Sequence, residues 1–591
     1  MDRTIPIDDF PTISLFQATE NFTTTLDLME AKDGVYRYQL SVESESAQVP
    51  QPITLRWRLP YLNMKGVWKC GGVHDKRQQY DWELDHLQSR VSVDAPIICV
   101  FGHDDSNGIT FACADAINLL EMNALLREED HHLYCHVTFF SEAHPAITSY
   151  QTEIRIDTRP VNYAEAIQSV ATWWEGFESL TPSPVPEIAR LPLYSTWYQF
   201  HQNMEKASLV QECRLAKKMG YELIIIDDGW QTMDTNRGYD YTGDWQPERF
   251  PDMANLVAKL HETGMKVGLW FSVPFCGKKS KAFQKFKGKF LIENHRWAPV
   301  FDVRYPEVRQ HLIDIYANAV KNWNLDALKL DFIDEFKVYP EMVLTKENGR
   351  DYANVNEAVD RLLTDVMQTL RTIKSDIAIE FRQKYIGPTM RKYGNMFRAF
   401  DCPNDPISNR IRITDVKLLC NKSAVHSDPL TWHRAEKVEI AALQLLNGFF
   451  GVPQMSIHLR NASQDHLAMV EFYTRYWRDN ADIVLDGDFK AYNPLGNYPI
   501  LSVEKDGKAI IGLYDEIVMH MNGAQQVDVL NATPSDSIAI KHIGSSKTYK
   551  ITARDCKGHI RSERVQTLPQ GITEIAVPRS GVLSLERMSR E

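Results

Sequence analysis

From Leu193 onward the chain alternates short apolar runs with longer segments at helical spacing, and it does so eight times. The runs are Leu193 to Trp197, Leu223 to Asp227, Val267 to Phe271, Ala327 to Asp331, Ile377 to Phe381, Met396 to Ala399, Ala424 to His426 and Phe450 to Pro453. An apolar run flanked by helices is a strand buried on both faces, which calls for a parallel sheet. Eight such pairs within about 290 residues fit a closed (β/α)8 barrel of the TIM type. Helix punctuation agrees. Ser208 with Gln211 reads as a capping box ahead of Gly220, Asp252 and Gly264 bracket the next helix, and Pro306 opens another.

The flanks follow a different rhythm. Up to Asn162 the chain offers short, branched and aromatic runs such as VYRYQLSV, PITLRWRL and HLYCHVTFF, the pattern of a β-sandwich. Within it, Tyr61 to Gly72 reads as a long loop that offers Trp68 and Asn63 to a ligand, against the alternative of a Trp packed between sheets. Tyr163 to Leu180 has helical spacing and runs into TPSPVPEIARLP, where proline stops the helix. After a last helix, Asp465 to Asn480, short strands return. The expected architecture is therefore an N-terminal β-sandwich with linker helix (1–180), a central barrel (181–485) and a smaller C-terminal β-sandwich (486–591), with the first sandwich lending a loop to the barrel mouth. A chain of 591 residues is too long for one core.

A net charge of −12 argues against a sequence-independent grip on nucleic acid or on an anionic membrane surface. No apolar run has the length of a membrane span, and the first residues lack a basic and then apolar leader. Nine scattered cysteines without a CxxC pair fit reduced thiols. The expected location is cytoplasmic, or periplasmic if a leader has been removed, and a homo-oligomer is compatible with the sequence.

In a parallel barrel the C-terminal strand ends carry the chemistry, and here they finish in charged groups. The second strand ends in Asp227, Asp228, Gly229 and Trp230. Two adjacent buried carboxylates are costly unless they hydrogen-bond a ligand or a cation. The fourth strand brings Lys329 and Asp331 to one face, as a functional pair or as an interior ion pair. The fifth supplies Glu380 and Arg382, and the sixth Arg398, Asp401 and Asp405. Trp197, Tyr198 and Trp270 add aromatic surface near the mouth. Converging carboxylates balanced by Lys329, Arg382 and Arg398, with indole faces beside them, suit an oligosaccharide or glycan, and two facing carboxylates are the apparatus of glycoside hydrolysis. A metal site is the competing explanation, but His201, His426 and His433 have no HxH or HExxH spacing. No GxSxG elbow or P-loop is present, and no cofactor is expected.

At these residues the sequence resembles the α-galactosidases of glycoside hydrolase family 36, with the raffinose synthases and the family 27 enzymes. DDGW at Asp227 to Trp230, LWFS at Leu269 to Ser272, LKLDF at Leu328 to Phe332, and Arg398 followed by Asp401 carry the resemblance. It implies Asp331 as nucleophile and Asp401 as acid/base, with Asp405 as the alternative for the second role. It implies Asp227 and Asp228 as ligands of O4 and O6 of a terminal galactose. Lys329 and Arg398 become sugar-binding, charge-balancing groups, and Trp230 a wall of the subsite.

The implied activity is retaining exo-hydrolysis of terminal α-linked galactose, with Asp331 ionised beside Lys329 and Asp401 kept protonated by partial burial and by the charge of Asp331. One departure stands out. Where many relatives follow the fifth strand with Cys and a glycine-rich run, this chain has EFRQKYIGP, so Arg382 and Gln383 are expected to reach into space near the 2-hydroxyl. That keeps open an α-N-acetylgalactosaminide or another α-linked sugar. A raffinose-synthase-like transglycosylase and a non-catalytic carbohydrate-binding protein complete the alternatives.

Overall fold

A computed structural model describes residues 2–5, 12–17, 21–83, 86–236, 238–521 and 523–588. The middle of the chain forms one eight-stranded parallel sheet, in the order β7-β6-β5-β4-β3-β2-β1-β8. Its strands are β1 (Leu193–Ser195), β2 (Leu223–Ile226), β3 (Lys266–Ser272), β4 (Ala327–Asp331), β5 (Ala378–Arg382), β6 (Met396–Arg398), β7 (Ala424–His426) and β8 (Gln454–Met455). The ring closes between β7 and β8 through the single bridges His426 to Val452 and Leu430 to Met455. The last strand therefore lies beyond the expected Phe450 to Pro453. Pro453 has no N–H to give a ladder, so regular pairing starts at Gln454.

Period-two alternation sorts the barrel interior into layers. The floor is apolar and small: Leu193, Leu223, Ile225, Ala327, Ala378, Met396 and Ala424 form one buried cluster. Two residues further along, β4 to β7 supply Lys329, Glu380, Arg398 and His426. Another step along brings Asp331 and Arg382 to the C-terminal ends, with Asp428 just past β7. The layer of charge thus lies directly above a dry floor.

Among the described residues the N-terminal region forms a seven-stranded and a six-stranded sheet, and the C-terminal region a seven-stranded and a three-stranded one. The N-terminal sandwich has its own apolar core around Tyr38, Trp57 and Phe111. A larger core runs without interruption from Trp68 through the barrel to Tyr498. No helix among the described residues is long and apolar enough to cross a membrane.

One local expectation fails, and of the two readings of Trp68 the packed one holds. Ser208 is not an N-cap: the helix Lys206–Lys218 starts after Glu205, which makes no side-chain cap, and Ser208 lies inside its first turn. Trp68 is not offered to a ligand. It ends the strand Met64–Trp68, is fully buried, and donates from Nε1 to Asp415 at 2.9 Å and Tyr498 at 3.1 Å. A sandwich edge pressed against a barrel needs an apolar side chain there, and the indole satisfies it.

Candidate active site

The loops of the N-terminal sandwich reach the barrel at the ends of β5 and β6. Gln383 Nε2 donates to Cys70 O (3.3 Å), Asp94 N to Lys384 O (2.7 Å), and His74 Nε2 meets Ser408 Oγ (2.8 Å). Gln383 is fully buried in this contact and also accepts from Phe400 N, so it turns away from the mouth instead of filling the sugar space.

Asp331, at the end of β4, is the most heavily bonded carboxylate of the mouth. Its Oδ1 accepts from Arg382 Nε (2.8 Å), Phe332 N (2.7 Å) and the Tyr385 hydroxyl, and its Oδ2 from Trp270 Nε1 (2.9 Å). Burial opposes ionisation, but Arg382, Lys329, Tyr385 and Trp270 together hold the carboxyl far below the usual range. Lys329 does not hydrogen-bond Asp331; its ammonium donates to Asp227 Oδ2 at 2.7 Å and acts on Asp331 through its charge. Asp228, beside it, accepts from Gln202 Nε2 (2.8 Å) and Gln231 Nε2 (2.7 Å). Burial, assisted by Asp227, raises its pKa to about 6.

Arg398, at the end of β6, serves three carboxylates. It donates from Nη2 to Asp401 (2.8 Å) and from Nη1 to Asp428, and its Nε lies 3.6 Å from Glu380 Oε1 without a hydrogen-bond partner. Glu380 is fully buried, accepts from Gln454 Nε2, and has its pKa raised by burial; it belongs to the layer below the mouth. The side chain of Asp401 is 39% exposed. Burial raises its pKa, but Arg398, Arg382 and Lys329 outweigh that and lower it, so the carboxyl is ionised in the free site. That reverses the expected protonated Asp401: three cations converge on it, and burial with the charge of Asp331 does not balance them. Asp405 is occupied elsewhere, as N-cap of the helix Pro406–Leu419, accepting from Ser408 N and Ser408 Oγ.

The aromatic groups sort differently from expectation. Trp230 is fully buried, donates from Nε1 to Trp270 O (2.8 Å), and packs with Trp245 and Phe271, so it backs the site and presents no open face. Trp270 touches Asp331 directly. Trp197 is half-buried, edge-on to His201 with ring centroids 4.8 Å apart. Of the histidines, His426 is sealed in the barrel with Nε2 against Ala189 O, and His433 is exposed.

Three contributors escaped the sequence reading. Asp428 accepts from Arg398, Tyr198 OH (2.7 Å) and Cys402 N (2.7 Å), with burial raising its pKa to about 7. Two residues beyond His426, it was legible as the next inward position after Ala424 and His426. Tyr385 lies past the end of β5, and no spacing rule places it. Tyr239 joins Trp270, Phe275 and Phe332 in an aromatic cluster beside the carboxylates. Arg382 is held by Phe332, Tyr385 and Phe400, with its guanidinium carbon 5.1 to 5.4 Å from each ring centre.

Residues 186–383 match the melibiase family model. Among curated relatives, α-galactosidase 2 of Pediococcus pentosaceus is 26% identical over 191 residues, a stretch that is 29% of this chain and 26% of that protein. The fold is that of the family 36 α-galactosidases. The α-galactosidase of Lactobacillus brevis superposes over all of this chain and 83% of its own, with a TM-score of 0.67 at 14% identity. A variant of AgaA from Geobacillus stearothermophilus, a family 36 α-galactosidase solved with raffinose, covers 98% of this chain and 81% of its own at 0.66 and 14%.

Proposed function

We propose, from the premise that residues 186–383 are a melibiase segment, that this protein is an α-galactosidase that removes terminal α-linked galactose from oligosaccharides or glycans. The observation that carries the reading is the state of Asp331: an ionised carboxylate at a strand end, with one oxygen saturated by three donors and the other bonded, among the described residues, only to Trp270.

In this mechanism Asp331 Oδ2, the oxygen with lone pairs to spare, attacks the anomeric carbon. The bond to the leaving oxygen breaks, and that oxygen takes a proton from Asp401. Water then attacks the glycosyl ester, gives its proton to Asp401, and releases the sugar with its α configuration retained. Asp401 must therefore gain a proton before the first step. A leaving group lying over its exposed side chain removes water, and with ionised Asp331 nearby this raises the pKa that the cations hold down in the free site. Asp227 and Asp228 accept the galactose hydroxyls, with Lys329 fixing Asp227. Arg382 and Tyr385 orient the nucleophile, and Trp270 bounds the sugar.

A panel of α-linked aryl glycosides tests the reading. Release of aryl alcohol from the α-galactoside, with α-galactose as the first-formed anomer by NMR, is the expected result; turnover confined to another sugar, or a β first product, contradicts it. A second reading keeps the mechanism and changes the sugar to an α-N-acetylgalactosaminide. It draws on the Arg382 side chain beside Asp331 in place of a glycine-rich run, and the same panel separates the two.

A further inference from the structure

Outside the carboxylate cluster, the rim of the barrel holds a second cavity of about 560 Å³, among the loops that follow β1, β2 and β8. Ser208, Arg249, His458 and Arg460 line it, with Gln202 and Glu205. Two of these carry a solvent-shielded polar atom with no hydrogen-bond partner among the described residues, Ser208 Oγ and Arg249 Nη2, while His458 Nδ1 lies 4.0 Å from Glu212 Oε1. Orphaned buried polar atoms are sparse in folded proteins, and two on residues of one cavity wall point to a missing polar occupant.

The polarity of the wall says which kind. The helix Lys206–Lys218 begins here with no side-chain cap, and its first intrahelical bond runs from Leu209 N to Glu205 O (3.0 Å). The N–H groups of residues 206 to 208 thus lack intrahelical acceptors, at the positive end of the helix. Ser208 is only 7% exposed, with its hydroxyl on the wall. Arg249 lines the cavity and is anchored through Nε to Gly229 O (2.7 Å), with its Nη2 shielded and unbonded among the described residues. Arg460 lies 3.6 Å from Glu212, a fully buried carboxylate that already accepts from Leu459 N (2.8 Å). The acidic groups nearby are Glu205 on the wall, Glu212 behind it and Asp228, whose charge acts on Arg249.

We propose that this cavity binds a small oxyanion, a phosphate, sulfate or carboxylate group, held by Arg249, Arg460, Ser208 and the helix N-terminus. The site does not depend on galactoside hydrolysis, but it adjoins the sugar-binding loop. Gln202 lines the cavity and donates to Asp228 Oδ2 (2.8 Å), and Arg249 holds the carbonyl of the glycine that follows Asp228. The anion comes either free from solution or attached to the leaving group of the substrate.

Calorimetric titration of the full chain with sodium sulfate, and separately with sodium phosphate, at ionic strength matched with chloride, tests binding itself. Saturable one-to-one binding is expected. Arg249→Gln and Arg460→Gln should each weaken it about ten-fold or more, and Ser208→Ala by about three-fold. Arg460→Gln leaves the Gly229 contact untouched, so it keeps the test valid if Arg249→Gln does not fold, which its anion-free melting curve reports. No saturable heat with either salt, or equal binding in wild type and Arg460→Gln, overturns the proposal. The source is read from two aryl α-galactosides, one with a carboxylate on the aryl group and one with its amide. A lower KM for the carboxylate, raised by sulfate, assigns the anion to the leaving group; equal KM values that sulfate alters alike assign it to solution.

Discussion

Two networks of buried charge serve the same helix-and-strand scaffold, and they are built to different standards. Where the three domains meet, Lys76 donates to Asp415 Oδ2 (3.0 Å) and Val73 O (2.6 Å), and Asp415 Oδ1 accepts from Trp68 and Tyr498. Both charged side chains are buried and every carboxylate oxygen is used. At the barrel mouth Arg398 answers three carboxylates with one nitrogen unbonded, Asp401 is part-exposed, and Asp331 keeps one oxygen lightly bonded. The closed network holds sandwich, barrel and sandwich together. The open one leaves bonding capacity unused, as the proposed sugar site requires.

Substitutions on each side of this comparison should therefore fail in different ways. The largest effect belongs to Asp331→Ala, which removes the proposed nucleophile. Steady-state hydrolysis of an aryl α-galactoside should fall by at least about 10⁴-fold. Activity within ten-fold of wild type would end the assignment.

Asp415→Ala should do the converse. It strands the Lys76 ammonium in a buried junction and should cost about 3–5 kcal/mol in urea unfolding, with kcat per folded molecule unchanged. Loss of kcat without loss of stability would mean that the junction is part of the catalytic apparatus.

Asp228→Asn sharpens the contrast, because it should separate function from stability. The Asp228 carboxyl titrates near 6 in the folded chain, above its unfolded value of about 3.9. The unfolded chain loses this proton first as pH rises. Ionisation therefore costs folding stability progressively between pH 4 and 6, and the full cost persists above pH 6. The neutral amide should gain roughly 2 kcal/mol relative to wild type between pH 4 and pH 7.5, on top of a pH-independent loss from turning its NH2 group toward Gln202 or Gln231, while sugar binding is lost. Equal stability differences at both pH values would show that Asp228 titrates normally.

Arg382→Gln should give the most specific effect, a shift of the pH profile on top of the activity lost by unpairing Asp331. Arg382 is among the cations that keep Asp401 ionised, so its loss raises the pKa of that carboxyl in the free enzyme. The alkaline limb of kcat/KM should move to higher pH by about half a unit or more. A limb that stays in place would assign the proton donor to another group.

The closed and open networks were not equally legible in the sequence. Barrel strands announce themselves because a strand buried on both faces is apolar until it reaches the mouth. Ile226 giving way to Asp227 and Leu330 to Asp331 mark that boundary directly. The eighth strand was misplaced because Phe450 and Val452 continue the apolar pattern across a proline that cannot pair. Trp68 was uncertain for a related reason: the same indole serves a sugar site or a domain interface, and only Asp415, 347 positions away, decides between them. Asp401 was located but its charge state was not, since that depends on Arg382 and Lys329 arriving from other strands. Tyr385 and Tyr239 come from irregular backbone, where neither period of two nor period of 3.6 operates.

The central claim is that Asp331 forms a covalent bond to galactose. The most direct test is intact-protein and peptide mass spectrometry after incubation with a fluorinated α-galactosyl fluoride that slows the hydrolysis of the intermediate. The account predicts one sugar adduct per chain, on the peptide that contains Asp331, with none formed by Asp331→Ala. An adduct on a different carboxylate, or wild-type turnover of the reagent through an inverted product with no adduct at any time, would contradict it.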